Sequence, residues 1–252
     1  MTDLAKAAVS QLPLVRRAAA EFIGTAFLVM AVVGSGIAAA RLSPGQPGLQ
    51  LLENSVATGA ALVALILALQ PVSAAFNPVV TLVERALGAI GTAETALLIG
   101  VQTVGGIAGC VIANLMFGLR AVTLSTHDRS TGGHWLGEVV ATVGLLLVIF
   151  GAVRTGRSHM VAFAAGGYIS AAYWFASSTS FANPAVTIAR MFSNTFAGIA
   201  PASVVPFVAM QLLGGLIAYG AIRVLYPGTA ELADELVDTD DLPPHLRLAM
   251  KG

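Results

Sequence analysis

Two stretches of this chain are too long for one membrane span and too short for two. Residues 54–83 run for 30 positions and residues 158–189 for 32 without a formal charge, His159 counted as neutral. A helix crossing a bilayer needs roughly 20 apolar residues. Each stretch is interrupted by polar and helix-breaking residues and reaches an Asn-Pro pair near its end, Asn77-Pro78 and Asn183-Pro184. Asparagine is a strong N-cap, and proline suits the first helical position. The economical reading is a full span, then a loop that turns back and starts a short helix at membrane depth. Non-helical backbone survives there only where protein or a wet cavity surrounds it.

Three further stretches read as ordinary spans. Residues 18–40 carry one charge, Glu21; residues 95–119 carry none; from Ser130 to Val153 only Glu138 is charged. A last helix, about Pro201 to Ile222, completes six spans and two half-helices. The expected fold class is therefore an all-α membrane protein. Composition agrees: 10% of residues are charged, against about 25% in soluble domains.

The formal net charge is zero and no basic block exists, which argues against a nucleic-acid partner. The single cysteine, Cys110, leaves no disulfide within the chain and no metal-ligand spacing. His127, His134 and His159 are too dispersed for a metal site. No cofactor is implied, and the spans hold no nucleophile–base pair or phosphate loop, so the chain does not read as an enzyme. The first 17 residues lack the apolar core and cleavage site of a removable signal. With the N-terminus inside, Lys6, Arg16, Arg17, Arg85, Arg154, Arg157, Arg223, Arg247 and Lys251 are cytoplasmic, and Arg41, Arg120, Arg129 and Arg190 are not. That bias fits the preference for basic residues inside, with both termini cytoplasmic. The acidic tail after Tyr226 reads as a short solvated segment.

The chain also repeats itself. Ala20-Glu21-Phe22-Ile23-Gly24-Thr25 answers Gly137-Glu138-Val139-Val140-Ala141-Thr142. Asn77-Pro78-Val79-Val80-Thr81 answers Asn183-Pro184-Ala185-Val186-Thr187, and Gln102-Thr103-Val104-Gly105-Gly106 answers Gln211-Leu212-Leu213-Gly214-Gly215, in the same order. Three helices per half is an odd number, so the second copy enters the membrane upside down. Inverted repeats with broken helices at the midplane mark a transport path. The division expected is residues 1–16 as a cytoplasmic N-terminus, 17–118 as the first repeat, 119–134 as an extracytoplasmic linker, 135–225 as the second repeat and 226–252 as the acidic cytoplasmic tail.

On the paired Asn-Pro boxes, the Ala-Glu-Phe-x-Gly-Thr opening and the doubled Gln-x-x-Gly helices, the chain resembles the major intrinsic protein family, the aquaporins and aquaglyceroporins, over about residues 17–225. The resemblance implies six tilted helices, two half-helices meeting at their prolines, one pore per subunit and a homotetramer in the lipid bilayer. It implies a passive channel for small neutral solutes. Asn77, Pro78, Val79, Asn183, Pro184 and Ala185 would then form the pore boxes, with main-chain groups of the asparagines capping and their side-chain NH₂ groups turned to the lumen. Each half-helix N-terminus carries about +0.5 of an elementary charge, and two facing one midpoint repel cations and oppose proton hopping along a water file. A charge at a span centre costs about 2.5–3.5 kcal/mol, so Glu21 and Glu138 read as acceptors that hold the loops by their backbone N–H groups. Gln102 and Gln211 would support the same halves. Gly105, Gly106, Gly109, Gly214 and Gly215 suit close helix contact. Cys110 and the aromatic Tyr173, Trp174 and Phe175 read as packing or interface residues.

Three departures from the family pattern bear on selectivity. The first loop, Ser73-Ala74-Ala75-Phe76-Asn77-Pro78, is one residue shorter than the common Ser-Gly-Ala-His-x-Asn-Pro, and Val79 in place of alanine would widen the apex slightly. Val186 stands where most members place an arginine; Arg190, four residues later, reads either as a solvent-facing vestibule residue or as an interface anchor. The remaining constriction positions transfer as small residues, giving a wide, uncharged ring of Thr58 (or Ala57, if the missing loop residue lies elsewhere), Ala171, Ser180 and Val186. The run from Ser177 to Thr187 resembles a bacterial branch associated with arsenic resistance, which implies arsenite and trivalent methylated arsenicals as substrates beside water and glycerol-like polyols, and a bacterial plasma membrane. The alternative is a secondary transporter of a small metabolite built from inverted repeats. It would need acids near its broken helices, where Glu84 follows the first box by two turns.

Overall fold

The computed structural model describes residues 12–226. Its described residues form eight α-helices joined by loops: α1 (Leu14–Leu42), α2 (Pro47–Leu69), α3 (Pro78–Ala86), α4 (Thr92–Met116), α5 (Gly132–Arg154), α6 (Val161–Phe175), α7 (Pro184–Arg190) and α8 (Pro201–Leu225). A 3-10 turn, Ser158–Met160, leads into α6. The acidic tail and residues 1–11 lie outside the described residues.

Five helices, α1, α2, α4, α5 and α8, are long and apolar enough to cross a bilayer. The sixth span is shorter than its uncharged stretch suggests. α6 has 15 residues, a rise of about 22 Å, because residues 176–183 go to the loop that leads into α7. α3 and α7, of nine and seven residues, are the half-helices.

The two halves pack alike. α1 lies on α4 and α5 on α8, α2 and α6 flank them and meet each other, and both half-helices touch both α4 and α8. Glycines make this possible. A Cβ on Gly105 would lie 2.4 Å from the Phe22 carbonyl oxygen, and one on Gly109 would lie 2.1 Å from that of Ala26. Each pair is one turn apart, so α4 meets α1 backbone to backbone. In lipid no hydrophobic force draws helices together, and close contact between small residues takes its place. Gly214 repeats the device, where a Cβ would come 2.9 Å from the Val139 oxygen of α5. The neighbouring glycines face the half-helix of the opposite half: a Cβ on Gly106 would lie 3.2 Å from Ala185 O of α7, and one on Gly215 would lie 2.5 Å from the Val79 side chain of α3.

The linker from α4 to α5 is pinned to the start of α8. His127 O accepts from Ala200 N (2.7 Å), Asp128 accepts from Ser203 Oγ (3.0 Å), and Arg129 Nε donates to Gly198 O (3.1 Å).

The glycine contacts predict a contrast. Gly109→Ala forces a methyl into the α1 backbone and lowers stability by about 1–3 kcal/mol. Gly100→Ala, on the same helix with nothing within 4 Å of its Cβ, leaves it unchanged. Thermal unfolding in detergent micelles checks both.

Candidate functional site

Two loops, residues 70–77 and 176–183, carry the chain from α2 to α3 and from α6 to α7. Their backbone groups lie at membrane depth and need partners. In the first loop the partner is Glu21 of α1, which is fully buried. Its Oε1 accepts from Ser73 Oγ (2.6 Å) and Ala75 N (2.8 Å), and its Oε2 from Phe76 N (2.7 Å) and Gln102 Nε2 (2.8 Å). Glu138 of α5, also fully buried, accepts from Phe181 N and Ala182 N, each at 2.9 Å, and from Gln211 Nε2. A carboxylate offers about four lone-pair sites, so three or four donors nearly saturate it.

The glutamines extend each network into a half-helix. Gln102 donates to Thr81 Oγ1 (2.9 Å), which donates to Asn77 O (3.2 Å). Gln211 donates to Thr187 Oγ1 (2.8 Å), which donates to Asn183 O (2.8 Å).

The residue before each asparagine is left-handed, with φ of 49° at Phe76 and 47° at Ala182. That conformation costs a residue with a Cβ roughly 1–2 kcal/mol. It is held from both sides: the N–H goes to the carboxylate, and the carbonyl accepts from the asparagine of the other half. Asn183 Nδ2 donates to Phe76 O at 2.7 Å, and Asn77 Nδ2 to Ala182 O at 2.8 Å. The two loops are thereby stapled together where the half-helices meet.

Capping falls to the side-chain oxygens as well as to the main chain. Asn77 Oδ1 accepts from Val79 N (3.0 Å), and Asn183 Oδ1 from Ala185 N (3.0 Å) and Val186 N (3.3 Å). An amide carries two N–H groups; one is spent across the staple, and the other remains beside the cavity that both asparagines line.

That cavity has a volume of about 250 Å³. Apolar side chains of four helices form one wall, among them Leu28 and Val32 of α1, Leu62 and Ile66 of α2, Leu145 and Ile149 of α5, and Ala165 and Ile169 of α6. The two loops form the other. Three and seven residues after Asn77 come Val80 and Glu84; three and seven after Asn183 come Val186 and Arg190. All four line the cavity.

Of the ring expected from the sequence, Thr58, Ser180 and Val186 lie on the wall. Ala171 does not: it is exposed on the far face of α6. The lining face of α6 runs Val161, Ala165, Ile169 and Tyr173, a four-residue period, and Ala171 falls about half a turn off it. Tyr173, read from the sequence as packing, takes that place and pairs its hydroxyl with Thr58 Oγ1 at 3.1 Å. Val79 does not widen the apex, because it turns away from the cavity and packs on Gly215. Pro78, Pro184 and Ala185 are likewise buried in helix packing.

Arg190 is no exposed anchor. It is 2% exposed, with its guanidinium 3.4 Å above the Phe181 ring and its Nε donating to Ala197 O. Arg129 lies over the same ring at 5.0 Å; burial holds its guanidinium below its ordinary range, and the charge of Glu138 partly offsets this. Nothing in the sequence pattern marks Phe181, whereas the α6 period was available to find Tyr173.

Comparison with known proteins finds relatives of the chain and of its fold. The profile of the family described as Major intrinsic protein matches residues 8–165. Aquaglyceroporin AqpS of Rhizobium meliloti is 44% identical over 218 residues, covering 86% of this chain and 93% of the relative. Aquaporin Z of Photorhabdus laumondii is 30% identical, covering 84% and 98%. The X-ray structure of the aquaglyceroporin from Plasmodium falciparum superposes with a TM-score of 0.64 at 19% identity, over 85% of this chain and 98% of that one.

The carboxylate network makes its own prediction. Glu138→Gln keeps the shape but presents an NH₂ to loop N–H donors, leaving at least one without an acceptor. A buried donor left unsatisfied costs about 1–3 kcal/mol, so the variant unfolds at lower temperature in detergent and conducts less per folded molecule. Solute flux normalised to folded protein reads the second effect.

Proposed function

Because the chain belongs to the major intrinsic protein family of aquaporin and aquaglyceroporin channels, we propose that it is a passive pore for small neutral solutes with water, glycerol-like polyols and trivalent arsenicals in its range. The observation that carries the reading is the stapled pair Asn77 and Asn183, each with a spare amide N–H beside one cavity walled by apolar side chains. Such a path strips a solute of part of its water and returns hydrogen bonds at only a few points. Ions lose too much hydration to enter. Neutral polyols, and undissociated arsenite with its glycerol-like trihydroxy shape, lose less.

Several finer parts belong to the same proposal. Asn77 and Asn183 act as the paired pore donors, Glu21, Glu138, Gln102 and Gln211 hold their loops, and Thr58, Tyr173, Ser180 and Val186 set the width beyond them. The relative that is 44% identical carries the name aquaglyceroporin, which supports polyols over water alone. The subunits assemble as a homotetramer in a bacterial plasma membrane, with both termini in the cytoplasm and two inverted repeats at 17–118 and 135–225. An ion-coupled transporter has one carboxylate to work with on the cavity wall, Glu84, and Arg17 lines the same end; Glu21 and Glu138 are consumed by the loops.

Two variants test the reading in proteoliposomes by stopped-flow swelling. Asn183→Asp replaces a donor with an anion at the staple and lowers glycerol flux roughly tenfold, a barrier rise of about 1.4 kcal/mol; wild-type flux from folded protein removes Asn183 from the path. Val186→Arg adds a long side chain with five donors to the wall, so glycerol flux falls more steeply than water flux. Equal glycerol and arsenite rates in folded Val186→Arg and wild type take Val186 out of the constriction.

A further inference from the structure

The geometry points to Arg190 as the specificity-determining residue of this channel: a fixed cationic donor one turn beyond Val186 that hydrogen-bonds the oxygens of a passing neutral polyol and turns cations away. The inference rests on the channel reading above and adds the residue that chooses among solutes.

Its position follows from helix register. Val186 and Arg190 are four residues apart on α7, about 6 Å along the axis, and both line the cavity. The same register on α3 puts Val80 and Glu84 on the wall. Each half-helix thus ends with one charged side chain facing the path, negative on α3 and positive on α7.

The orientation of Arg190 is constrained twice. Nε donates to Ala197 O, and the guanidinium plane sits 3.4 Å above the centre of the Phe181 ring. Phe181 is itself held edge-on against Phe207, with centroids 5.2 Å apart at 78°. A guanidinium fixed at one nitrogen and one face has its terminal nitrogens left over. Among the described residues neither terminal nitrogen has an acceptor, and neither is shut off from solvent.

Energy decides what those nitrogens do. The residue is 2% exposed, and the one ion pair among the described residues joins Arg17 to Glu94 at the other end. Burying a guanidinium without a counter-ion is strongly unfavourable unless its free donors meet oxygens. The oxygens in reach are those that pass along the cavity. On the same wall Thr58 and Tyr173 pair their hydroxyls at 3.1 Å and keep further donor and acceptor capacity. A solute with several hydroxyls therefore meets donors and acceptors together, while a cation meets a positive charge that has no direct ion-pair partner among the described residues.

The test uses full-length protein in proteoliposomes, with glycerol, water and methylammonium as probes. In folded Arg190→Gln the glycerol-to-water permeability ratio falls at least fivefold and a methylammonium leak appears. Arg190→Lys keeps the charge and loses the planar fork, so the leak stays at the wild-type level while the ratio still falls at least twofold. An unchanged ratio and no leak in folded Arg190→Gln overturn the inference while leaving the channel reading intact; a wild type with no glycerol flux above empty vesicles overturns both.

A measurement on the wild type does not depend on any variant folding. Phenylglyoxal labels Arg190, flux falls as the adduct forms, and excess glycerol slows the labelling at least twofold; peptide mass spectrometry reads the site. Labelling of the exposed Arg120 with Arg190 untouched refutes the inference.

Discussion

Everything in this molecule depends on two carboxylates placed where lipid forbids charge. Irregular backbone at membrane depth carries N–H groups that no water satisfies, and a buried carboxylate lacks the water that would solvate it. Each is unfavourable alone. Glu21 and Glu138 join the two deficits, so that the loop N–H groups and a glutamine amide become the carboxylate's solvation shell. With the loops fixed, the left-handed Phe76 and Ala182 aim their carbonyls across the midline, and the asparagines staple the half-helices head to head. The cavity between them is a consequence of that staple.

The two halves keep the scaffold and differ on the wall. Acceptor glutamate, bridging glutamine, threonine and asparagine occur at matching positions, as do Gly105, which lets α4 reach α1, and Gly214, which lets α8 reach α5. These positions are tied by hydrogen bonds or by backbone contact, which leaves little freedom. Wall positions are not so tied. Glu84 answers Arg190, and Tyr173 faces a hydroxyl from the opposite half. Symmetry builds the path, and its violations give the path two different ends.

Much of this was legible in the sequence because it follows from local chemistry. The over-long uncharged stretches and their Asn-Pro pairs located both broken helices, and repeated Glu21 and Glu138 inside apolar spans marked groups that needed donors. What the sequence concealed was direction. The expectation for Ala171 carries a position across the loop 176–183, which includes left-handed Thr179, Ser180 and Ala182, and residue spacing across such turns does not preserve the helix face. The four-residue period ending at Tyr173 does. For Arg190 the sequence marked the residue but not its surroundings: a charged side chain at a helix end ordinarily reaches bulk water, and here it is buried over Phe181 and lines the cavity.

A path held by a rigid staple needs no step in which the protein closes around its solute. The initial rate of glycerol entry into proteoliposomes, measured across a wide range of concentrations with and without an ion gradient, tests it most directly. The account predicts a rate that rises linearly with concentration and ignores the gradient. Saturation together with acceleration by glycerol on the opposite side would contradict it.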